Sequence, residues 1–320
     1  MSAFLRGGPG HGDCRLDGHS HAPPQHDPAS TIRLYLPGRI SLFCRLLLGW
    51  RRTIFFFTIS WITAFLCEFS STRIGIPFCS YYYTGSTVGQ ELYLFNVPFM
   101  DSLSFTFLLY ASYCMALLFV LPIQHDADRS ARLVQLRLDP VVRTSWPVVL
   151  LTTLLYVFID VVIDPVALRG DRWFLGQIYG YTYPGLYFGV PLENFAGWAV
   201  VGLLALSGYC VADRTLSPWP HAVPPDASVT NTMLLGCGLY YGVLMFNLAV
   251  TFWIGESLLV LTGLLIYVPI TAFALLRLLN KFPAGHPSMD HAILNSDSPS
   301  TLLKRYTDST TRSQVKSECS

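Results

Sequence analysis

Apolar residues run in six long blocks, at roughly 53–69, 98–121, 146–167, 195–212, 229–253 and 257–279. Each comes near the ~20 residues that a helix needs to cross a bilayer, so each predicts a membrane span. Residues 31–52 behave differently. There Leu, Ile and Phe alternate with Arg33, Arg39, Arg45, Arg51 and Arg52, a mixture that predicts a basic interfacial helix or an additional span. Residues 1–30 are Gly-, Pro- and His-rich and hold no apolar block that could form a signal-peptide core. Residues 282–320 are rich in Ser, Thr, Asp and Lys. Both tails lack the apolar content to bury a core and are expected to be disordered. The pattern therefore predicts an all-α, polytopic integral membrane helix bundle in residues 53–281. It has six clear spans, or seven if 31–50 also crosses.

Composition agrees with the pattern. Of 320 residues, 52% are apolar before the 24 glycines are counted, and 13% are charged. A soluble domain carries about 25% charged residues. A net charge of +1 with no dense basic run excludes a nucleic-acid partner. The eight cysteines (14, 44, 67, 79, 114, 210, 237 and 319) include no CxxC pair, so neither a disulfide framework nor a zinc or iron–sulfur site is expected. His11, Cys14, His19, His21 and His26 lack the spacing of a structural metal site.

Arginine and lysine orient the bundle. With six spans, residues 31–52, the 122–145 and 213–228 connections and the C-terminal tail share one side. That side holds Arg33, Arg39, Arg45, Arg51, Arg52, Arg129, Arg132, Arg137, Arg143, Arg214 and Lys281, against Arg73, Arg169 and Arg172 opposite. The positive-inside rule then places both termini in the cytoplasm; if 31–50 also crosses, the N-terminus moves outside and the rest is unchanged. The less basic side carries two long aromatic connections, 70–97 and 170–194. They are too apolar for free loops and too interrupted by Gly and Pro for helices. Irregular backbone at membrane depth persists only when packed in protein or lining a cavity, so both read as re-entrant-like lids. Their Tyr81, Tyr82, Tyr83, Trp173, Tyr179, Tyr181, Tyr183 and Tyr187 would form an amphipathic rim. An ordinary headgroup belt accounts for part of this set.

Four acids lie in or beside the spans: Glu68, Asp160, Asp164 and Glu193. A carboxylate at the bilayer centre costs about 2.5–3.5 kcal/mol on insertion scales, so such residues mark function by default. Asp160 and Asp164 are four apart and share a helix face, and Pro165 behind them marks a kink or an end. Two acids on one intramembrane face should not both be ionised, and a protonated one is a proton donor. Hydrogen bonds to a neighbouring helix are the plainer alternative. Glu68 closes the first span and serves equally as an interface anchor. Glu193 and Asn194 follow Pro191 and open a span where helix caps are favoured, although Asn194 could still orient a water. Asp101 after Pro98 reads as a cap, and Glu256 as a surface residue in a short turn.

Phosphate-binding glycine loops, HExxH, a nucleophile elbow and an intramembrane His cluster are all missing. The expected chemistry is acid–base catalysis with no cofactor and no metal.

The residues that carry this reading resemble a known family. Glu68…Gly75-Ile76-Pro77-Phe78…Tyr81-Tyr82-Tyr83-Thr84, Asp160…Asp164-Pro165 and Tyr187-Phe188-Gly189-Val190-Pro191…Asn194-Phe195…Gly197-Trp198 resemble the membrane carotenoid-biosynthesis hydratases of bacteria and archaea, of the γ-carotene 1′-hydratase and bisanhydrobacterioruberin hydratase types. The likeness covers roughly residues 50–280. Against a family pattern ExxGxxTGxPFGxYxYT, the chain has Ser71, Ile74 and Cys79 in place of Gly, Thr and Gly. The resemblance implies a carotenoid 1,2-hydratase in a bacterial cytoplasmic membrane. Water would add across the terminal C1–C2 double bond of an acyclic carotenoid end, giving a tertiary alcohol. Asp160 or Asp164 would donate the proton, and Glu68 and Asn194 would hold or deprotonate the water. Tyr81, Tyr83, Tyr187 and Trp198 would line the end-group pocket. The implied partners are a carotenoid arriving through the bilayer, membrane lipids and other carotenoid-pathway enzymes. Two readings from other classes stand beside it: a carotenoid- or lipid-binding protein or transporter without chemistry, and a polyprenoid isomerase.

Overall fold

In the computed structural model the described residues are 47–124, 135–136, 138–216 and 227–279. The polar tails, most of the basic segment 31–52 and several of its arginines lie outside them. Among the described residues six helices are long and apolar enough to cross a membrane. They are α1 (Trp50–Ile74), α2 (Phe99–Val120), α3 (Trp146–Ala167), α4 (Leu192–Thr215), α5 (Ala227–Trp253) and α6 (Ser257–Leu278).

The helices are not equally buried. α2 is the most enclosed and α6 the least. Around α2 pack α1, α3 and α5, while α4 closes against α1 and α3. Every residue from Leu109 to Leu118 of α2 is buried, as expected of a central helix that is apolar all round. On α6, Leu258, Leu261, Leu265 and Val268 are exposed. In a membrane these face lipid.

Helix ends follow local chemistry. Gly75, at φ 74°, ends α1 and returns its N–H to Ser71 O at 3.0 Å, the left-handed terminus that glycine adopts without a Cβ penalty. α3 starts after Ser145 with a proline in its first turn. Pro165 falls in its last turn rather than at its boundary, and the helix runs on to Ala167.

The two aromatic connections do not lie as separate irregular lids. Residues 81–83 (β1) and 179–181 (β6) pair antiparallel, matching Tyr81 with Tyr181, Tyr82 with Gly180 and Tyr83 with Tyr179. This ribbon satisfies backbone groups that neither loop could satisfy alone. A hairpin, β2 (Tyr93–Leu94) with β3 (Val97–Pro98), leads directly into α2. After α2, β4 (Ile123–Gln124) pairs antiparallel with β5 (Gln135–Leu136).

Candidate active site

Side chains alternate along a strand, so Tyr81 and Tyr83 share one face of the ribbon, as do Tyr179 and Tyr181. Those four rings form one cluster, with centroids 5.4–6.4 Å apart between neighbours. The hydroxyl groups of Tyr83, Tyr179 and Tyr181 reach two separate pairs of carboxyls.

The first pair lies on α3. Asp160 and Asp164 are 2% and 3% exposed, and both face Asn194 on α4. The single Asn194 Nδ2 donates to Asp160 Oδ2 and to Asp164 Oδ2, each at 2.9 Å. Tyr181 donates to Asp164 Oδ2 at 2.5 Å, and Tyr179 donates to Asp164 Oδ1. Asp164 thus accepts three hydrogen bonds and Asp160 accepts one. The cap expected of Asn194 is not what it makes: Pro191 holds the N-cap position without a side-chain hydrogen bond, and the amide turns inward. Glu193, beside it, is exposed in the first turn of α4. It is not part of the group.

The second pair joins α1 to α2. Glu68, 1% exposed, accepts from Tyr83 at 2.7 Å through Oε1 and from Ser102 through Oε2. The Tyr83 oxygen also lies 2.9 Å from Asp101 Oδ2. A phenol has one hydrogen to donate, so Tyr83 can donate to only one of the two acids. The other contact is a hydrogen bond only if its carboxyl is protonated. Asp101 is therefore more than the cap read from its position after Pro98. Tyr81 and Tyr83 oxygens are 3.3 Å apart, which extends this half toward the centre of the ribbon.

None of these four acids pairs with an arginine or lysine among the described residues. The described ion pairs lie elsewhere. Asp213 holds Arg52 and Arg143 at 2.5 Å each, at the opposite end of the bundle, and Glu256 holds Arg169 and Arg172 beside the second loop. Glu256 is thus an ion-pair partner rather than a lone surface residue.

The ribbon phenols are neutral donors. Burial, followed by the Asp101 and Glu68 carboxyls, pushes Tyr83 well above the ordinary tyrosine range. Burial, then Asp164, does the same for Tyr179 and Tyr181, and burial, then Glu68, for Tyr81. The Cys79 thiol is raised to about 11, first by burial and then by Glu193 and Asp164.

An aromatic wall stands beside the acids. Trp198, one turn after Asn194 on α4, stacks on Phe105 with centroids 4.3 Å apart and planes at 16°. It also touches Tyr156 at 4.6 Å and Phe78 at 6.5 Å. Phe78 in turn meets Tyr81 at 6.4 Å. Close approach of the first loop to α4 depends on Gly197, where a Cβ would fall 2.9 Å from Phe78 Cα.

Of the residues singled out in the sequence, Asp160, Asp164, Glu68, Asn194, Tyr81, Tyr83 and Trp198 come together at one end of the bundle. Tyr187 does not join them; its ring packs on Phe188 and Phe195. Asp101 and Ser102 were not anticipated as carboxyl partners. Tyr179 and Tyr181 were anticipated only as rim residues, although their spacing matches that of Tyr81 and Tyr83 and signals a paired ribbon.

Fold and site together define a polytopic helical membrane protein with a buried acid–tyrosine centre. A family model described as carotenoid biosynthesis protein matches residues 32–270. The chain belongs to that family, and carotenoid biosynthesis is its process. Comparison with curated proteins gives no match, and comparison with solved structures gives none.

Proposed function

We propose that the protein is a hydratase that adds water to the terminal C1–C2 double bond of an acyclic carotenoid end group, without a cofactor. The observation that carries this reading is the pairing of acids without a counter-cation among the described residues, buried between apolar spans and beside an aromatic wall. Protonation at C2 of a trisubstituted alkene leaves the positive charge on the tertiary C1. Such a step needs a desolvated acid, negative charge or ring faces near the cation, and one held water.

The hydrogen-bond asymmetry supports Asp160 as the donor. Three donors on Asp164 favour its anionic form, leaving the proton of the pair on Asp160, which has one partner. Asp160 gives its proton to C2, and the fixed charge on Asp164 steadies the cation. The Trp198 and Tyr81 rings line the end group. Water bonds to C1, and Glu68 takes the proton it releases, so the product is a neutral tertiary alcohol. Asn194 contributes by binding both aspartates rather than by holding the water. The polyene enters laterally from the bilayer, where lipids surround the α6 face. The arginine-rich end faces the cytoplasm and the acid–tyrosine end lies toward the opposite leaflet.

The test is the carotenoid mass profile of a host making lycopene or γ-carotene. Wild-type protein should yield product heavier by one water, and Asp160→Asn should lower its rate by about 10²–10⁴-fold, the usual worth of a general acid. Asp164→Asn should also impair turnover. Full hydration by both variants would refute the assignment. Unchanged masses with proton-dependent flux would point to transport, and a rearranged product of unchanged mass to isomerisation.

A further inference from the structure

One buried group beside the acids has no evident structural duty. Tyr156 is 0% exposed, yet its hydroxyl has no hydrogen-bond partner among the described residues. It lies one turn before Asp160, so Tyr156, Asp160 and Asp164 follow one another along a single face of α3. Its electrostatic neighbours include Asp160 from one acid pair and Glu68 from the other. Its ring rests 4.6 Å from that of Trp198. Tyr240 shows how this bundle ordinarily treats an interior phenol: its hydroxyl is 2.7 Å from Leu155 O and 2.8 Å from the Tyr267 hydroxyl. Burial of a hydroxyl without a partner is unfavourable and uncommon. Here the unpartnered oxygen belongs to a residue whose electrostatic neighbours come from both acid pairs.

We propose that Tyr156 is the positioning residue for the attacking water, holding it between Asp160 and Glu68 so that its free lone pair faces C1 of the end group. The proposal rests on the hydratase reading and adds a role to it. The water donates one hydrogen to the Tyr156 oxygen and the other to Glu68. As the C1–O bond forms, the second hydrogen passes to Glu68 as a proton, and the electrons of its O–H bond remain on the product oxygen. The C2–H bond has already formed from the alkene π pair and the Asp160 proton. Tyr156 neither gains nor loses a proton over the cycle.

Tyr156→Phe separates this role from packing, because it keeps the ring against Trp198 and deletes only the partnerless hydroxyl. The full-length protein would be assayed in liposomes loaded with the acyclic carotenoid, with thermal unfolding of the same preparation in parallel. The expected result is a kcat lower by about 100-fold, the scale of a misplaced reactant. KM should be little changed, and the midpoint of unfolding unchanged or raised. Wild-type turnover by Tyr156→Phe overturns the proposal. So does a loss of activity that tracks a lowered midpoint, since that is the signature of a structural hydroxyl. If the wild-type protein forms no product heavier by one water, the hydratase reading falls and this role falls with it.

Discussion

Single residues at this site are best understood by counting hydrogen bonds. Asp164 has three donors and Asp160 one, while Glu68 has Ser102 and shares the single Tyr83 hydrogen with Asp101, so carboxyls of the same chemistry are distinguished by their partners. Cys79 is governed instead by its backbone. It sits at φ 73°, where an L-residue is disfavoured by about 1–2 kcal/mol, and the hydratase pattern it resembles has glycine there. Both Cys79→Gly and Cys79→Ala delete the thiol, so the difference between them isolates the backbone. Cys79→Gly should be the more stable of the two by about 1 kcal/mol in thermal unfolding, and equal midpoints would show that the turn carries no strain. The acids themselves were legible in the sequence because charge inside an apolar run is conspicuous. Asp101 was not, since an acid three residues beyond a proline is also what a helix start looks like. Its link to Glu68 depends on Tyr83 folding back from a different segment.

Among the elements, the six spans could be read from hydropathy alone, because each is a continuous apolar run of bilayer length. The ribbon between the two aromatic connections was harder to read. Its strands are three residues long and nearly a hundred residues apart, and nothing in either stretch alone names its partner. Yet that ribbon brings Tyr179 and Tyr181 over α3 and Tyr83 over α1 and α2, so the site is assembled by the pairing of loops. The seating of α4 is equally specific. Gly197 meets the Phe78 backbone and ring, where an added Cβ would lie 2.4 Å from Phe78 Cδ1 and 2.9 Å from Cα. Backbone cannot rotate away as a side-chain tip can. Gly197→Ala should therefore push α4 off the first loop, cost about 1–3 kcal/mol and move Asn194 from the aspartates. Gly208 of the same helix is the control, since its Cβ would meet only Ile59 Cγ2 at 3.2 Å. Thermal unfolding and product formation should both fall for Gly197→Ala and hold for Gly208→Ala. The opposite ranking would show that α4 is free to shift at its first turns.

At the scale of the whole molecule, the two ends of the bundle are electrically unlike. One end carries Asp213 of α4 clamped by Arg52 of α1 and Arg143 ahead of α3, with Arg214 donating to Thr144 O at 3.1 Å. The other end carries the four acids, the tyrosine ribbon, and Arg73 bound to Asn96 at 2.8 Å. A bilayer sorts such a difference by retaining Arg and Lys on the cytoplasmic side, and the proposed orientation, with the site toward the opposite leaflet, follows from that rule. Two exposed positions report on the two ends. Tyr183 follows the ribbon and is 56% exposed; Val141 precedes α3 and is 78% exposed. In a background with Cys14, Cys44 and Cys319 changed to Ser, Tyr183→Cys should react with a membrane-impermeant thiol reagent in intact cells. Val141→Cys should react only after permeabilisation. Because α3 connects the two positions directly, labelling of both from outside is incompatible with its crossing the bilayer. The reverse pattern would place the acids toward the cytoplasm, and the arginine end would then owe its composition to the Asp213 clamp rather than to membrane orientation.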